Sequence, residues 1–104
     1  MLTRLKTTRR IKAKAQMHLR KDIFMDTIAA LRNRILRLCE ERGMSVNKLA
    51  TLCALPPSSI KNILYGKSLN PKLITIKMIC DGLDITLGEF FATPEFDSLE
   101  QEIK

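Results

Sequence analysis

The sequence predicts an all-α protein organised around one stretch, Val46 to Tyr65. Three observations carry that prediction. Apolar residues recur at three- and four-residue steps, the spacing of one helical face. Helix formers dominate, while aromatics make up only 5% of the chain. Helix-stopping residues, above all Gly43, Pro56-Pro57 and Gly66, punctuate the pattern at short intervals.

The central stretch, VNKLATLCALPPSSIKNILY, reads as two short helices meeting at a sharp corner. In the first, Val46, Leu49, Ala50 and Cys53 share a face, and Ser45 before them is a good N-cap. Ala54 and Leu55 break the period. Pro56-Pro57 cannot lie inside a helix, because proline lacks the N–H and its ring clashes with the preceding turn. At the first helical position a proline is tolerated, so Pro57 opens a second helix with Ile60, Ile63 and Leu64 inward and Gly66 closing it. Ala50 supplies the small residue that a close crossing needs, and Leu55 plugs the angle. The outward side of the second helix carries Ser58, Ser59, Lys61 and Asn62.

Taken in order, residues 1–25 form a basic arm with too few apolar residues for a core of its own. Ile11, Ala15, Leu19 and Ile23 recur at four-residue steps, so the arm is either disordered or an amphipathic helix that orders on a polyanion or partner. An alternative is that the natural start lies at Met17 or Met25. Residues 26–92 are the folded domain. Its first helix runs from the N-cap Asp26 to Arg42, with Ile28, Leu31, Ile35 and Leu38 inward and Gly43 ending it. Arg32, Arg34 and Arg37 lie off that stripe and read as solvated, or as one contact to a phosphate near the corner.

After the two central helices, Gly66 to Lys72 is a loop, and Asn70-Pro71 reads as a cap followed by a proline at the first helical position. A helix over about Lys72 to Gly82 follows, with Leu73, Ile76, Ile79, Cys80 and Leu83 facing the core. Thr86 to Glu89 has the form of a capping box opening a short helix with Leu87, Phe90 and Phe91. Residues 93–104 begin with Thr93-Pro94 and predict a last short helix in which Phe96, Leu99 and Ile103 align. That stripe either closes the core or pairs with a second copy. The completeness of residues 28–91 without it favours pairing.

The net charge of +7 is segregated. Residues 1–24 hold eight Lys or Arg against Asp22 alone, and residues 25–104 are balanced. Within the balanced part, Arg42 to Cys80 holds six basic residues and no acid, while seven acids follow from Asp81 onward. Such a distribution presents a directional field that suits an anionic polymer on one face. No stretch approaches the roughly 18 apolar residues of a membrane span, and the basic N-terminus lacks the features of a signal peptide. A cytoplasmic protein is expected. Cys39, Cys53 and Cys80 each sit on an apolar helical phase and read as buried small hydrophobes, not as metal or redox ligands. His18, the lone histidine, has no Cys or His at ligand spacing. No paired carboxylates, activated nucleophile or glycine-rich phosphate loop point to an enzyme, and no cofactor is expected.

Ser45, Leu49-Ala50, Ile60 and Ile63, Tyr65-Gly66-Lys67, Asn70-Pro71, the run Leu73 to Leu83, Thr86-Leu87 and Phe90 together resemble the lambda-repressor-like, Cro-type (XRE-family) helix-turn-helix domains of bacterial and phage transcriptional regulators. The likeness spans about Ile28 to Phe91. It implies a compact five-helix bundle whose third helix enters the major groove while the second crosses the backbone. Carried over by position, it implies base contacts from Pro57, Ser58 and Asn62, and contacts to phosphates or flanking bases from Ser59 and Lys61. Asn62 is suited to adenine, because its amide both accepts from and donates to the N6/N7 edge. Lys67, Ser68, Asn70 and Lys72 fall in the loop that grips phosphate, which positions without specifying sequence.

Three departures stand out. Val46 replaces the glutamine that commonly opens the second helix, so that the phosphate clamp is either absent or passes to Asn47 or Lys48. Ala54 replaces the corner glycine. Pro57 replaces a polar base reader, which shifts recognition towards thymine methyls and DNA shape. The resemblance implies a repressor acting on double-stranded DNA as a homodimer. Two other readings stay open: an antitoxin-like protein-interaction module, and a structural module whose basic arm binds any polyanion.

Overall fold

The computed structural model describes residues 26–103, so the basic arm over 1–25, its Ile11-to-Ile23 spacing and His18 lie outside the described residues. Among the described residues the chain forms helices only: α1 (Thr27–Glu41), α2 (Val46–Cys53), α3 (Pro57–Leu64), α4 (Leu73–Leu83), α5 (Leu87–Phe91) and the single turn α6 (Pro94–Asp97). The expected all-α architecture, five helices followed by a short C-terminal one, holds.

Local chemistry sets most boundaries where the sequence puts them. The Asp26 carboxylate accepts from Ala29 N at 2.9 Å to open α1, and the Ser45 hydroxyl accepts from Lys48 N at 3.1 Å to open α2. These bonds satisfy amides that have no partner inside the helix. The Thr86–Glu89 box is complete, with Glu89 N donating to Thr86 Oγ1 at 2.9 Å and Thr86 N to Glu89 Oε1 at 2.8 Å. That backbone N–H, followed by the Thr86 side chain, holds the Glu89 carboxyl below the usual carboxylate range. The box is therefore intact at neutral pH and is lost as the pH falls through the depressed value.

The core gathers Ile35 and Leu38 of α1, Leu49 and Ala50 of α2, Ile60 and Ile63 of α3, Ile79 and Leu83 of α4, and Phe90 of α5. Leu55 packs against it from the corner, as expected. A close approach also lies between α4 and α2. A Cβ added to Gly82 would sit 2.7 Å from Cys53 Sγ and 3.0 Å from both Cys53 N and Leu52 C. Gly82 thus ends no helix. It lies within α4, which stops two residues later at Asp84, in left-handed backbone at φ 59°.

Four readings are corrected. Asn70-Pro71 does not cap α4: the chain stays extended to Lys72, at φ −69° and ψ 143°, and the helix starts at Leu73 without a side-chain cap. Leu73 has the inward phase, but the first turn of α4 overhangs the edge of the core beside an open groove, leaving it 66% exposed. The final helix does not align Phe96, Leu99 and Ile103, because it lasts one turn. The Ser98 hydroxyl bonds Pro94 O at 2.9 Å, and the following tail returns to α1 where Thr27 Oγ1 donates to Glu102 Oε2. Phe96 folds back instead, its ring centroid 4.9 Å from that of Phe91 in an edge-to-face pair, while Ile103 is 89% exposed.

The fourth correction concerns the arginines of α1, which are not simply solvated. Arg34 donates to Phe90 O at 2.7 Å and Glu89 O at 3.0 Å, with its guanidinium 5.7 Å from the Phe90 ring centroid. Arg37 pairs with Glu95 at 2.9 Å. Arg32 donates from Nε to Ile63 O at 2.7 Å. Two of the three therefore cap carbonyls at the ends of other helices, where the helix dipole favours a cation.

Stability measurements test these contacts. Alanine at position 82 gains about 1 kcal/mol of helix propensity, but the neighbouring atoms are mostly backbone and overpacking costs about 1–3 kcal/mol. A contact as short as 2.7 Å takes the upper part of that cost, so Gly82→Ala should lower the urea midpoint, with a net stability loss of about 1–2 kcal/mol. Ala54 is left-handed at φ 57°, so Ala54→Gly should raise the midpoint, with a stability gain of about 0.5–1 kcal/mol, the relieved strain less the entropy added to the unfolded chain. Arg34→Met should cost about 1.5–3 kcal/mol, the scale of charged hydrogen bonds lost.

Candidate nucleic-acid interface

The corner between α2 and α3 turns the outer side of α3 away from the core. α2 ends at Ala54, where Leu55 N closes on Ala50 O at 3.0 Å, and Pro56 in extended backbone leads directly into Pro57 at the first helical position. Ile60, Ile63 and Leu64 are buried. Pro57, Ser58, Lys61 and Asn62 are exposed, and Ser59 is half-buried. Among the described residues the Ser58 hydroxyl and the Asn62 amide have no hydrogen-bond partner.

The backbone of Asn62 has a different task from its side chain. Its carbonyl accepts from Lys67 N at 3.1 Å and from Ser68 N at 2.9 Å. That one oxygen fixes the start of the following loop to the last turn of α3. Gly66, at φ 93°, permits the reversal. On the inner side Arg32 holds the adjacent carbonyl, Ile63 O. The helix and the loop behind it are thereby tied to one another and to α1.

Of the other sequence-predicted residues, Asn47 and Lys48 are exposed on the first turn of α2, and Lys67, Asn70 and Lys72 are exposed along the loop, with Ser68 half-buried. Val46 is half-buried against the core, so it cannot serve a surface contact in place of the missing glutamine. Lys77, another cation of the acid-free stretch, pairs with Asp81 one turn further along α4. Lys48, Lys61, Lys67 and Lys72 make no ion pair among the described residues. The elements that carry α3 and its flanks are thus positive, without internal neutralisation.

Sequence reasoning missed Arg32, which anchors this surface from beneath. A long side chain that reaches a carbonyl of another helix leaves no periodic signal. Gly82, which fixes α2 and so the corner, left only a weak one: a glycine in the middle of an inward helical phase.

The three cysteines are buried and free. Cys53 Sγ lies 3.8 Å from Ile79 O, a long contact to an α4 carbonyl. Burial, then the nearby Cys39 and Cys80 thiols and the Asp81 carboxylate, push Cys53 up to about 11. Burial raises Cys39 and Cys80 as well. Among the described residues no group of three His, Cys, Asp or Glu is placed to hold a metal ion, and no helix is long and apolar enough to cross a membrane.

Comparison with known proteins adds to this geometry. The family model described as Cro/C1-type HTH DNA-binding domain matches residues 34–95. The crystal structure of the prophage Lp1 protein 11 is similar to this chain with a TM-score of 0.63 and 27% identity, over 70% of this chain and 97% of that one. No curated protein matches.

The thiols offer a direct check on the core beneath the interface. With its pKa near 11, Cys53 is roughly one part in ten thousand thiolate at pH 7. Thiol-specific reagents should leave the folded chain unmodified and label all three cysteines on denaturation. Rapid labelling of the native protein would contradict this packing.

Proposed function

The chain belongs to the Cro/C1-type helix-turn-helix DNA-binding family, and on that premise we propose that it is a sequence-specific transcriptional regulator that inserts α3 into the major groove of double-stranded DNA. The observation that carries this reading is the free outer face of α3. Ser58 and Asn62 stand exposed beside unpaired lysines, on a helix whose inner face is fixed in the core. A buried amide would already be committed to an internal partner; this one is available to a base edge.

Pro57, Ser58 and Asn62 take the bases in this proposal. Ser59, Lys61, Lys67, Ser68, Asn70 and Lys72 take the phosphates on either side, with Asn47 and Lys48 at the start of α2 replacing the usual glutamine clamp. The division follows from chemistry: lysines and short hydroxyls meet a backbone of uniform charge, whereas an amide discriminates among base edges. Acting as a homodimer, the protein would present two such helices to half-sites about 34 Å apart. Occupying the duplex in this way excludes other proteins from it, and the reading is that of a repressor in the cytoplasm.

Selection from randomised duplexes followed by binding at several salt concentrations tests the proposal. The selected operator should be retained at salt where random DNA is released. Asn62→Ala should cost about 1–3 kcal/mol on the operator and relax the choice of base at one position. Lys67→Ala should weaken every sequence alike and reduce the salt slope by about 1. Equal retention of operator and random DNA at all salt concentrations would overturn sequence-specific recognition.

A further inference from the structure

An apolar groove of about 580 Å³ opens beside α1, lined by Leu31, Leu69, Leu73, Ile76, Phe91 and Phe96. Leu69 is 71% exposed on its wall, and Leu73 is similarly uncovered. Large aliphatic side chains gathered so openly along one groove mark a surface that something covers. It lies apart from the residues assigned to DNA on α3, although Asn70, assigned to a phosphate, lines its edge.

Three features select the occupant. The first is attachment: Asp26, Thr27 and Ile28 form part of the groove wall, so the residues preceding Asp26 join the fold at the groove itself. Ile23 is three residues from Asp26 and Leu19 seven, an extended reach of roughly 10 and 24 Å. The second is charge. The groove is bordered by Asp26 and Glu102, and Asp97 and Glu100 belong to the same C-terminal stretch, whereas residues 1–24 hold eight Lys or Arg against one acid. The third is pattern, since Ile11, Ala15, Leu19 and Ile23 repeat at a step that places apolar side chains together on one side of a helix.

We propose that this groove is the docking site of the chain's own N-terminal segment, with Leu19 and Ile23 set against Leu69, Leu73 and Phe91 and the basic side chains turned towards Asp26, Glu102 and their acidic neighbours. A tethered segment acts at a millimolar effective concentration. A second copy at the concentrations of a dilute solution has no such advantage. The tether therefore decides between two occupants that the apolar wall alone would accept.

Paramagnetic relaxation in the full chain tests the assignment, using a nitroxide on Gln16→Cys, a polar position off the apolar repeat. The native thiols are buried and do not compete for the label. In a dilute sample of the labelled chain, the methyl signals of Leu69, Leu73 and Ile76 should be broadened away and should return in the variant that also carries Leu19→Asp and Ile23→Asp. The signals of Leu49, deep between α2 and α4, should be the same in both and report an intact fold. Three results would each overturn the proposal: no broadening in the groove, broadening that survives the double substitution, and broadening that appears only between labelled and isotope-enriched copies in a mixed sample. The last assigns the groove to a second copy.

Discussion

The architecture depends on how closely α4 can lie against α2. At Gly82 the absence of a side chain lets the α4 backbone meet the Cys53 thiol and the backbone of α2, at a spacing that a single Cβ would occupy. With α2 seated there, its C-terminal end has one position and the corner at Ala54 has one direction. α3 then leaves that corner with Ile60, Ile63 and Leu64 buried and its other side free. The orientation of the outer side of α3 is thus set in part by a packing contact between α2 and α4.

The second constraint is the way the helix ends are held. The closing carbonyls of α3 and α5 have no partners within their own helices, and two of them receive guanidinium groups projected from α1: Arg32 for Ile63 and Arg34 for Phe90. Each bond satisfies an acceptor and sets a positive charge against the negative end of a helix dipole. α1 therefore acts as a strut with separate attachments, and Arg37 adds a third through Glu95 on α6. In a core without a buried polar side chain among the described residues, these polar ties at the periphery fix how the short helices are oriented.

Much of this was legible in the sequence because it is written in local chemistry. Ser45, Asp26 and the Thr86–Glu89 pair are caps whose geometry involves only neighbouring residues, and Pro56-Pro57 restricts its own backbone. The outward placement of Ser58 and Asn62 follows from the inward phase of Ile60 and Ile63. What escaped was set by partners distant along the chain. Gly82 is meaningful only against Cys53, and the arginines only against carbonyls some 31 or 56 residues away. Periodicity also fails at the ends of the pattern. Leu73 and Ile103 have plausible phases, but one overhangs the core and the other follows a helix that stops after one turn.

The carbonyl of Asn62 is committed to the loop through two amides, while the side chain on the same residue is committed to nothing within the fold. Structural duty falls on the main chain, which every amino acid except proline supplies with the same donors and acceptors. The outward side chains at positions 58, 61 and 62 can consequently drift under mutation with little penalty to folding. A lineage built on this scaffold could acquire new targets by exchanging a few surface letters, without having to rebuild the frame that presents them.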